Sequence, residues 1–240
     1  MSPKNYHRKL YEYIMEEVAL KILKGDYPSG ETLPNEDALC KEYQVSRGVL
    51  REATKVLTQK GLIQARPKVG TLVLPRSMWN LFDADVLTWK LQVEGKAEFL
   101  RSVTEVRRII ESEAARCAAE RSDTAQVKAI ETPLREMADL LKAEGGEDTF
   151  DYENYLVIDM AFHMAIMEAS RNELLAQIGA TMRQAVLSAR RLDIRNIEIL
   201  RESVADHSRL YTTIKAGDAQ GAYEASQQLF DEVWRHLPKD

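Results

Sequence analysis

Residues 33–71 form the segment that most constrains the fold of this chain. A short amphipathic helix is expected to begin after Asn35, and a turn follows it. Ser46 is a favourable N-cap for a second helix over 47–59, where apolar residues recur every three or four positions until Gly61 ends the pattern. The segment therefore predicts two consecutive helices joined by a tight turn.

Two short apolar runs follow the second helix and flank a turn that contains proline and glycine. Leu62 and Ile63 can pair with residues 72–74 across the segment 66–70, in which Gly70 permits a positive φ. We call this predicted hairpin the wing. The order helix, turn, helix and wing is typical of a winged helix, in which the second helix enters the major groove of double-stranded DNA.

The same segment is basic. Between Gln44 and Thr71, six Lys or Arg residues stand against one acid, Glu52. Side chains in the first turn of the second helix can reach base edges, and the other cations are better placed to meet phosphates. For any single lysine, an ordinary solvated charge is the alternative. The candidate DNA-binding residues are Ser46, Arg47, Gly48, Val49, Arg51, Lys55, Arg66, Lys68 and Gly70.

The pattern LP.E..L...Y.VSR..LREA...L...GLI......G..V, within residues 8–75, resembles the winged-helix domain of the GntR superfamily of bacterial repressors. The resemblance implies a DNA-binding gene regulator. Members similar to this chain usually carry arginine in the slot that Asp37 fills here. Because a carboxylate cannot hold a phosphate, we expect recognition to depend more on Arg47, Arg51 and the wing.

Composition and charge support two different parts in a chain of 240 residues. Residues 1–75 hold 12 Lys/Arg and 9 Asp/Glu, a net charge of +3, so the rest of the chain carries −8 of the total of −5. No segment approaches the apolar length of a signal or membrane helix, so we expect a soluble cytoplasmic protein without a membrane partner. Cys40 and Cys117 are expected to be reduced thiols.

The expected fold class is mainly α. Its three predicted parts are a winged-helix DNA-binding domain at 1–75, a connector at 76–96 and an all-helical domain at 97–240. The connector carries Trp79, Phe82 and Trp89, so we expect a short helix that docks its aromatic rings rather than a flexible linker. Helices are predicted over 85–94, 97–121, 123–144, 150–170, 172–190, 194–216 and 218–236.

Three residues of the helical part have the chemistry of metal ligands. Asp159 and His163 lie four residues apart, so both side chains face the same way on one helix, and His207 could supply a third ligand from another helix. A hydrogen-bonded core histidine is the alternative reading. Motifs at 105–111, 159–163 and 207–218 resemble the FadR branch of the superfamily, with an FCD-type effector domain, an antiparallel helical bundle around a ligand cavity.

That resemblance implies a metal site with one Asp and three His, but the expected fourth position falls on Leu229. We therefore expect a three-ligand site with an open position. It would hold a divalent metal such as Zn²⁺, with Ni²⁺ or Mn²⁺ as alternatives.

Arg107 and Glu111 are the candidate effector-binding residues, because the family pattern places such an arginine inside the cavity. A guanidinium suits a carboxylate ligand, although a salt bridge from Arg107 to Glu105 or Glu111 is the structural alternative. The segment 79–89 is similar to the connector of sugar-acid regulators of this branch. The resemblance therefore favours a sugar acid, such as an aldonate, over other small carboxylates.

These features together predict a homodimer that binds a pseudo-palindromic DNA operator and represses a carbohydrate-acid catabolic operon until a sugar acid releases it. Two alternatives stay open. One is a metal-dependent hydrolase or isomerase that uses the Asp/His cluster, with Glu111, Glu168 or Tyr155 as acid or base. The other is a DNA-binding protein whose helical domain only dimerises. No nucleophile motif or phosphate-binding loop supports an enzyme.

Overall fold

The computed structural model describes residues 3–142, 150–190 and 196–237. The chain forms two compact units, Met1–Glu94 and Gly95–Asp240. The connector helix thus belongs to the first unit, while the functional division at 1–75, 76–96 and 97–240 stays a prediction. Among the described residues, no helix is long and apolar enough to cross a membrane.

The first unit is a winged helix followed by a connector. Its elements are α1 (Pro3–Lys24), α2 (Glu36–Tyr43), α3 (Arg47–Gln59), β1 (Ile63–Arg66), β2 (Gly70–Val73), a short 3₁₀ helix (Arg76–Met78) and α4 (Ala84–Glu94). The predicted caps are present, because Asn35 accepts from the backbone N–H of Ala38 and Ser46 accepts from that of Val49. Gln44 ends α2 with a φ of 53°, which produces the tight turn between the helices.

The wing is an antiparallel pair in which Ile63 lies opposite Val73 and Arg66 lies opposite Gly70. Its tip needs positive φ at two positions, 64° at Lys68 and 118° at Gly70. Glycine tolerates this region, whereas lysine adopts it at a cost. The helices and the wing confirm the predicted winged helix-turn-helix.

The connector is fastened to the winged helix by its tryptophans and by a buried lysine. Trp79 and Trp89 are buried, and the indole of Trp79 donates to the carbonyl of Leu74. Lys60, at the end of α3, pairs with Asp83 and Asp85, each at 2.7 Å. Phe82, however, is 57% exposed, so the prediction that it docks with the tryptophans is wrong. A polar bend at residues 80–83 turns its ring towards solvent.

A glycine allows the connector to approach α3 closely. A Cβ on Gly61 would lie 2.4 Å from the carbonyl oxygen of Met78, and its φ is 75°. Gly61 therefore both ends α3 and admits the 3₁₀ helix beside it.

The described part of the second unit is all-helical, as predicted. Its helices are α5 (Lys96–Arg121), α6 (Thr124–Lys142), α7 (Tyr152–Ala169), α8 (Glu173–Arg190), α9 (Ile197–Lys215) and α10 (Ala219–Arg235). The predicted helix ends at 143–144 and 194–195 lie outside the described residues. Helix α5 packs on α7, α9 and α10, and Phe162 and Phe230 are fully buried in the core. This packing brings α5, α7 and α9 together around a polar cluster.

Candidate DNA interface and metal centre

Eight of the nine predicted DNA-binding residues are exposed. They are Ser46, Arg47, Gly48, Arg51, Lys55, Arg66, Lys68 and Gly70. Val49 is 6% exposed and packs in the core of the first unit with Leu50 and Ala53. The Val49 side chain therefore faces the core rather than solvent and holds α3 in place. The part of Val49 in DNA binding stays a prediction.

Two acids of α2 pair with the first two arginines of α3. Arg47 donates from Nε and Nη2 to Oδ1 of Asp37 at 3.1 and 2.6 Å. Arg51 donates from Nε to Oε1 of Glu36 at 2.9 Å. Asp37 stands out in the sequence as an unusual residue, but its pairing with Arg47 could not be predicted there, because the two partners come from different helices. The crossing of α2 and α3 brings them together.

The predicted metal ligands do converge. Asp159 and His163 of α7 and His207 of α9 have ligand atoms within 4.8 Å of one another. Nε2 of His207 lies 3.0 Å from Oδ1 of Asp159 and 3.4 Å from Nε2 of His163. The three residues are 6%, 6% and 1% exposed. Among the described residues, this is the cluster of histidine, cysteine and acid side chains that could hold a metal ion.

Both imidazole rings are oriented by a hydrogen bond on the opposite nitrogen. Nδ1 of His207 lies 2.6 Å from the backbone carbonyl of Ser203, and Nδ1 of His163 lies 2.7 Å from Oε2 of Glu111. A carbonyl oxygen only accepts, so Nδ1 of His207 donates and a neutral ring presents its Nε2 lone pair to the cluster. Two nitrogen lone pairs and a carboxylate then face one point. This donor set fits a divalent cation.

Burial and the charge of Arg107 shift the pKa values of the groups around the cluster. Burial disfavours the charged carboxylate of Glu111, but Arg107 and His163 outweigh it and lower the pKa of Glu111 to about 2. Burial lowers the pKa of His163, against the opposing attraction of Glu111. The lowered pKa of Glu111 favours its ionised form, and the lowered pKa of His163 favours the neutral imidazole, which is the form that binds metals.

Arg107 forms the salt bridge to Glu111 that the sequence left open as the alternative. Its Nε donates to Oε1 of Glu111 at 2.5 Å, and its guanidinium lies 5.0 Å from the ring centroid of Phe230. Both oxygens of Glu111 are thus engaged. Oε1 accepts from Nε of Arg107, and Oε2 accepts from Nη2 of Arg107 at 3.4 Å and lies 2.7 Å from Nδ1 of His163. Glu111 contacts a candidate metal ligand, a pairing between α5 and α7 that sequence spacing could not show. Effector binding by Glu111 stays a prediction.

The expected fourth ligand position is apolar. Leu229 is buried in the hydrophobic core of the second unit. Gln228 is exposed and bonds Arg209, and His236 is exposed at the end of α10. Glu168, considered as an acid or base for an enzyme, is also exposed. The described residues therefore offer three ligands at the cluster.

Two family models match the chain. The gntR family of bacterial regulatory proteins matches residues 10–73, and the FCD domain matches residues 102–232, more than half of the chain. The chain belongs to the GntR family and carries an FCD domain.

Similar proteins share this organisation. The uncharacterised HTH-type transcriptional regulator YieP of Escherichia coli (strain K12) is 32% identical over 223 residues, which cover 92% of this chain and 93% of that protein. The galactonate operon transcriptional repressor of the same strain is 29% identical over 220 residues, covering 90% and 92%. The solved structure of Lar, which controls the expression of the Listeria monocytogenes agr system, is similar in fold. It has a TM-score of 0.61 at 19% identity and covers 96% of this chain and 95% of that chain.

The families and relatives of this GntR-type protein are transcriptional regulators, not enzymes. The predicted class is confirmed: the chain is a transcriptional regulator of the GntR/FCD type. Regulators of this family bind DNA operators and small-molecule effectors, and FCD domains bind metal ions in some of them.

Proposed function

We propose that this regulator represses a carbohydrate-acid catabolic operon and is released from its operator by an aldonate-like sugar acid that binds at a metal centre in the FCD domain. The galactonate operon repressor, 29% identical over 220 residues, supports the repressor role and the sugar-acid class. The observation that carries the proposal is the buried convergence of Asp159, His163 and His207 in a domain of a family that senses small molecules.

Asp159, His163 and His207 would hold the cation, and Glu111 would position the ring of His163 through its bond to Nδ1. Zn²⁺ suits two imidazoles and one carboxylate, with Ni²⁺ or Mn²⁺ as alternatives. A bound cation would supply positive charge and open coordination positions for a carboxylate and its neighbouring hydroxyl. Because the fourth expected position is Leu229, the protein offers a three-ligand centre to such a chelating anion.

Arg107 would add a second positive charge beside this centre. The carboxylate of Glu111 lies between Arg107 and His163 and contacts both side chains. An anionic effector that displaced or shared the Arg107–Glu111 contact would gain a charge-assisted hydrogen bond. We assign Glu111 a positioning role and keep Arg107 as the candidate effector contact.

At the other unit, α3 and the wing would contact the operator. Arg47 and Gly48 would meet base edges, and Arg51, Lys55 and Lys68 would meet phosphates. A homodimer would place two such faces on the half-sites of a pseudo-palindrome, so we propose a dimer that acts in the cytoplasm. A protein that stays monomeric at micromolar concentration, alone and on operator DNA, would contradict this arrangement.

The proposal is tested by melting the protein with and without metal against a panel of sugar acids and other small carboxylates. We expect chelator treatment to lower the melting temperature, and one sugar acid to raise it in the metal-loaded protein alone. His207→Gln should abolish both effects. His236→Gln, which changes an exposed histidine outside the cluster, is the matched control and should abolish neither.

A second candidate has one observation in its favour. Arg107, Glu111 and His163 contact one another in a continuous series, as expected for a core network in a domain that only dimerises. That candidate predicts no bound metal by elemental analysis and no melting shift with any carboxylate. The same experiment therefore separates the two candidates.

A further inference from the structure

The contact between Asp37 and Arg47 restricts how the recognition helix can meet DNA. Asp37 lies in the first turn of α2, and Arg47 is the first residue of α3. The carboxylate accepts two hydrogen bonds, from Nε at 3.1 Å and from Nη2 at 2.6 Å. The side chains are 71% and 63% exposed, so the pair contributes little to folding. Its geometry instead fixes the direction of a guanidinium on the proposed DNA face.

A guanidinium has two edges that can form paired hydrogen bonds. The side edge, Nε with Nη2, is occupied by Asp37. The end edge consists of Nη1 with the second hydrogen of Nη2. Arginine reads guanine by two bonds to O6 and N7 and needs one edge to do so. Arg47 therefore presents one edge, in one orientation, while the other edge is held by the protein.

The neighbouring pair has the same construction. Arg51 donates from Nε to Oε1 of Glu36 at 2.9 Å and from Nη2 to Oε2 at 3.4 Å. Two acids of α2 thus offset two cations of α3. Phosphate attraction supplies most of the affinity for random DNA, so these acids weaken the binding that carries no sequence information. The acids do not weaken hydrogen bonds to base edges in the same way, because those bonds depend on the geometry of donors and acceptors.

We propose that Asp37 is a specificity-determining positioning residue, which orients Arg47 so that its free edge reads a guanine in each operator half-site and which keeps Arg47 from binding phosphates. The proposal rests on the DNA face described under the proposed function. It concerns discrimination between sequences, not the ability to bind DNA.

The test is selection of bound duplexes from a random pool, followed by affinity measurements on the selected operator and on random DNA. Arg47→Ala first identifies the position that Arg47 reads, because that position loses its preference. Asp37→Asn keeps the shape but removes the charge. We expect it to degrade the same position and to lower the ratio of operator to random affinity by about 5-fold, the lower end for one bidentate base contact.

The matched control is Glu42→Gln, which removes the same charge from the same helix. Glu42 pairs with Lys21 of α1 rather than with α3. The control should retain the wild-type motif and its ratio of affinities. If both variants retained the wild-type motif and ratio of affinities, Asp37 would have no part in discrimination and the proposal would be overturned. If both variants changed the motif and the ratio equally, only net charge would matter, and the proposal would again be overturned.

A second variant tests the phosphate part. Asp37→Arg should bind random DNA more tightly than wild type, and its salt dependence should steepen by about 0.9 in slope, as for one added phosphate contact. An unchanged slope with unchanged discrimination would overturn the proposal. A wild-type protein that enriches no motif would overturn the DNA face itself, whereas a clear wild-type motif that Asp37→Asn leaves intact would overturn this inference alone.

Discussion

The proposed DNA face and the candidate metal centre each contain an arginine–carboxylate pair, but the pairs differ in their surroundings. Arg47 and Asp37 are 2.6 Å apart and exposed to solvent, whereas Arg107 and Glu111 are 2.5 Å apart and buried. Water screens the exposed pair, which leaves orientation as its main effect. The buried charges cannot be resolvated, so each depends on its partner. We therefore expect the exposed pair to affect which DNA sequences the protein binds, and the buried pair to affect the stability of its unit.

The largest effect should come from breaking the buried pair. Glu111→Leu keeps a similar volume but leaves the Arg107 guanidinium without its partner. We expect the second unit to lose about 3–5 kcal/mol of its free energy of unfolding in urea, the range for an uncompensated buried charge. Glu113→Leu on the same helix is the control, because Glu113 and its partner Arg116 are both accessible to solvent. If both variants lost the same free energy of unfolding, burial would not distinguish the two ion pairs.

The second effect concerns the metal proposed to bind at Asp159, His163 and His207, next to this pair. Saturating metal at 100 times its dissociation constant should stabilise the protein by about 2.7 kcal/mol. His207→Gln should remove this stabilisation, and His236→Gln should retain it. Calorimetric titration of the apo protein measures the binding, and heat from wild type and His207→Gln alike would place the metal elsewhere.

The third prediction compares two cations of the DNA face. Arg47→Ala should weaken operator binding by about 5- to 150-fold and relax one base preference. Lys68→Ala, at the tip of the wing, should weaken binding to all sequences and reduce the salt slope by about 1. Affinities on operator and random duplexes at several salt concentrations measure both. Equal losses on both kinds of DNA from both variants would remove the distinction between base and phosphate contacts.

The smallest expected effect completes the comparison. Asp37→Asn should leave the free energy of unfolding unchanged within experimental error, because both partners are exposed. Urea denaturation checks this directly. A clear loss of stability would mean that the exposed pair supports the packing of α2 on α3. The exposed and buried pairs would then differ only in how much they stabilise the protein.

Local signals predicted the winged helix well. Asn35 and Ser46 cap α2 and α3 as expected, since a short polar side chain bonds the free N–H groups of the next turn. Helical periodicity likewise predicted the helices of the second unit. Phe82 was misjudged because the aromatic residues of the connector do not show which side of a bend faces solvent.

The sequence could predict only part of the candidate metal cluster. Asp159 and His163 share a face because they are four residues apart, and the helical repeat alone places them together. The approach of His207, and the bonds from Glu111 and the Ser203 carbonyl, join separate helices. Their meeting depends on how α5, α7 and α9 pack.

The sequence by itself determined the caps, the turns, the helical faces and the family of this regulator, because these depend on residues within a few positions of one another. The tertiary structure alone decided that Asp37 holds Arg47, that Glu111 orients His163 and that Leu229 packs in the hydrophobic core of the second unit. Such contacts join residues on different helices or far apart in the chain. Their distances are set by the packing of whole helices, which local chemistry does not specify.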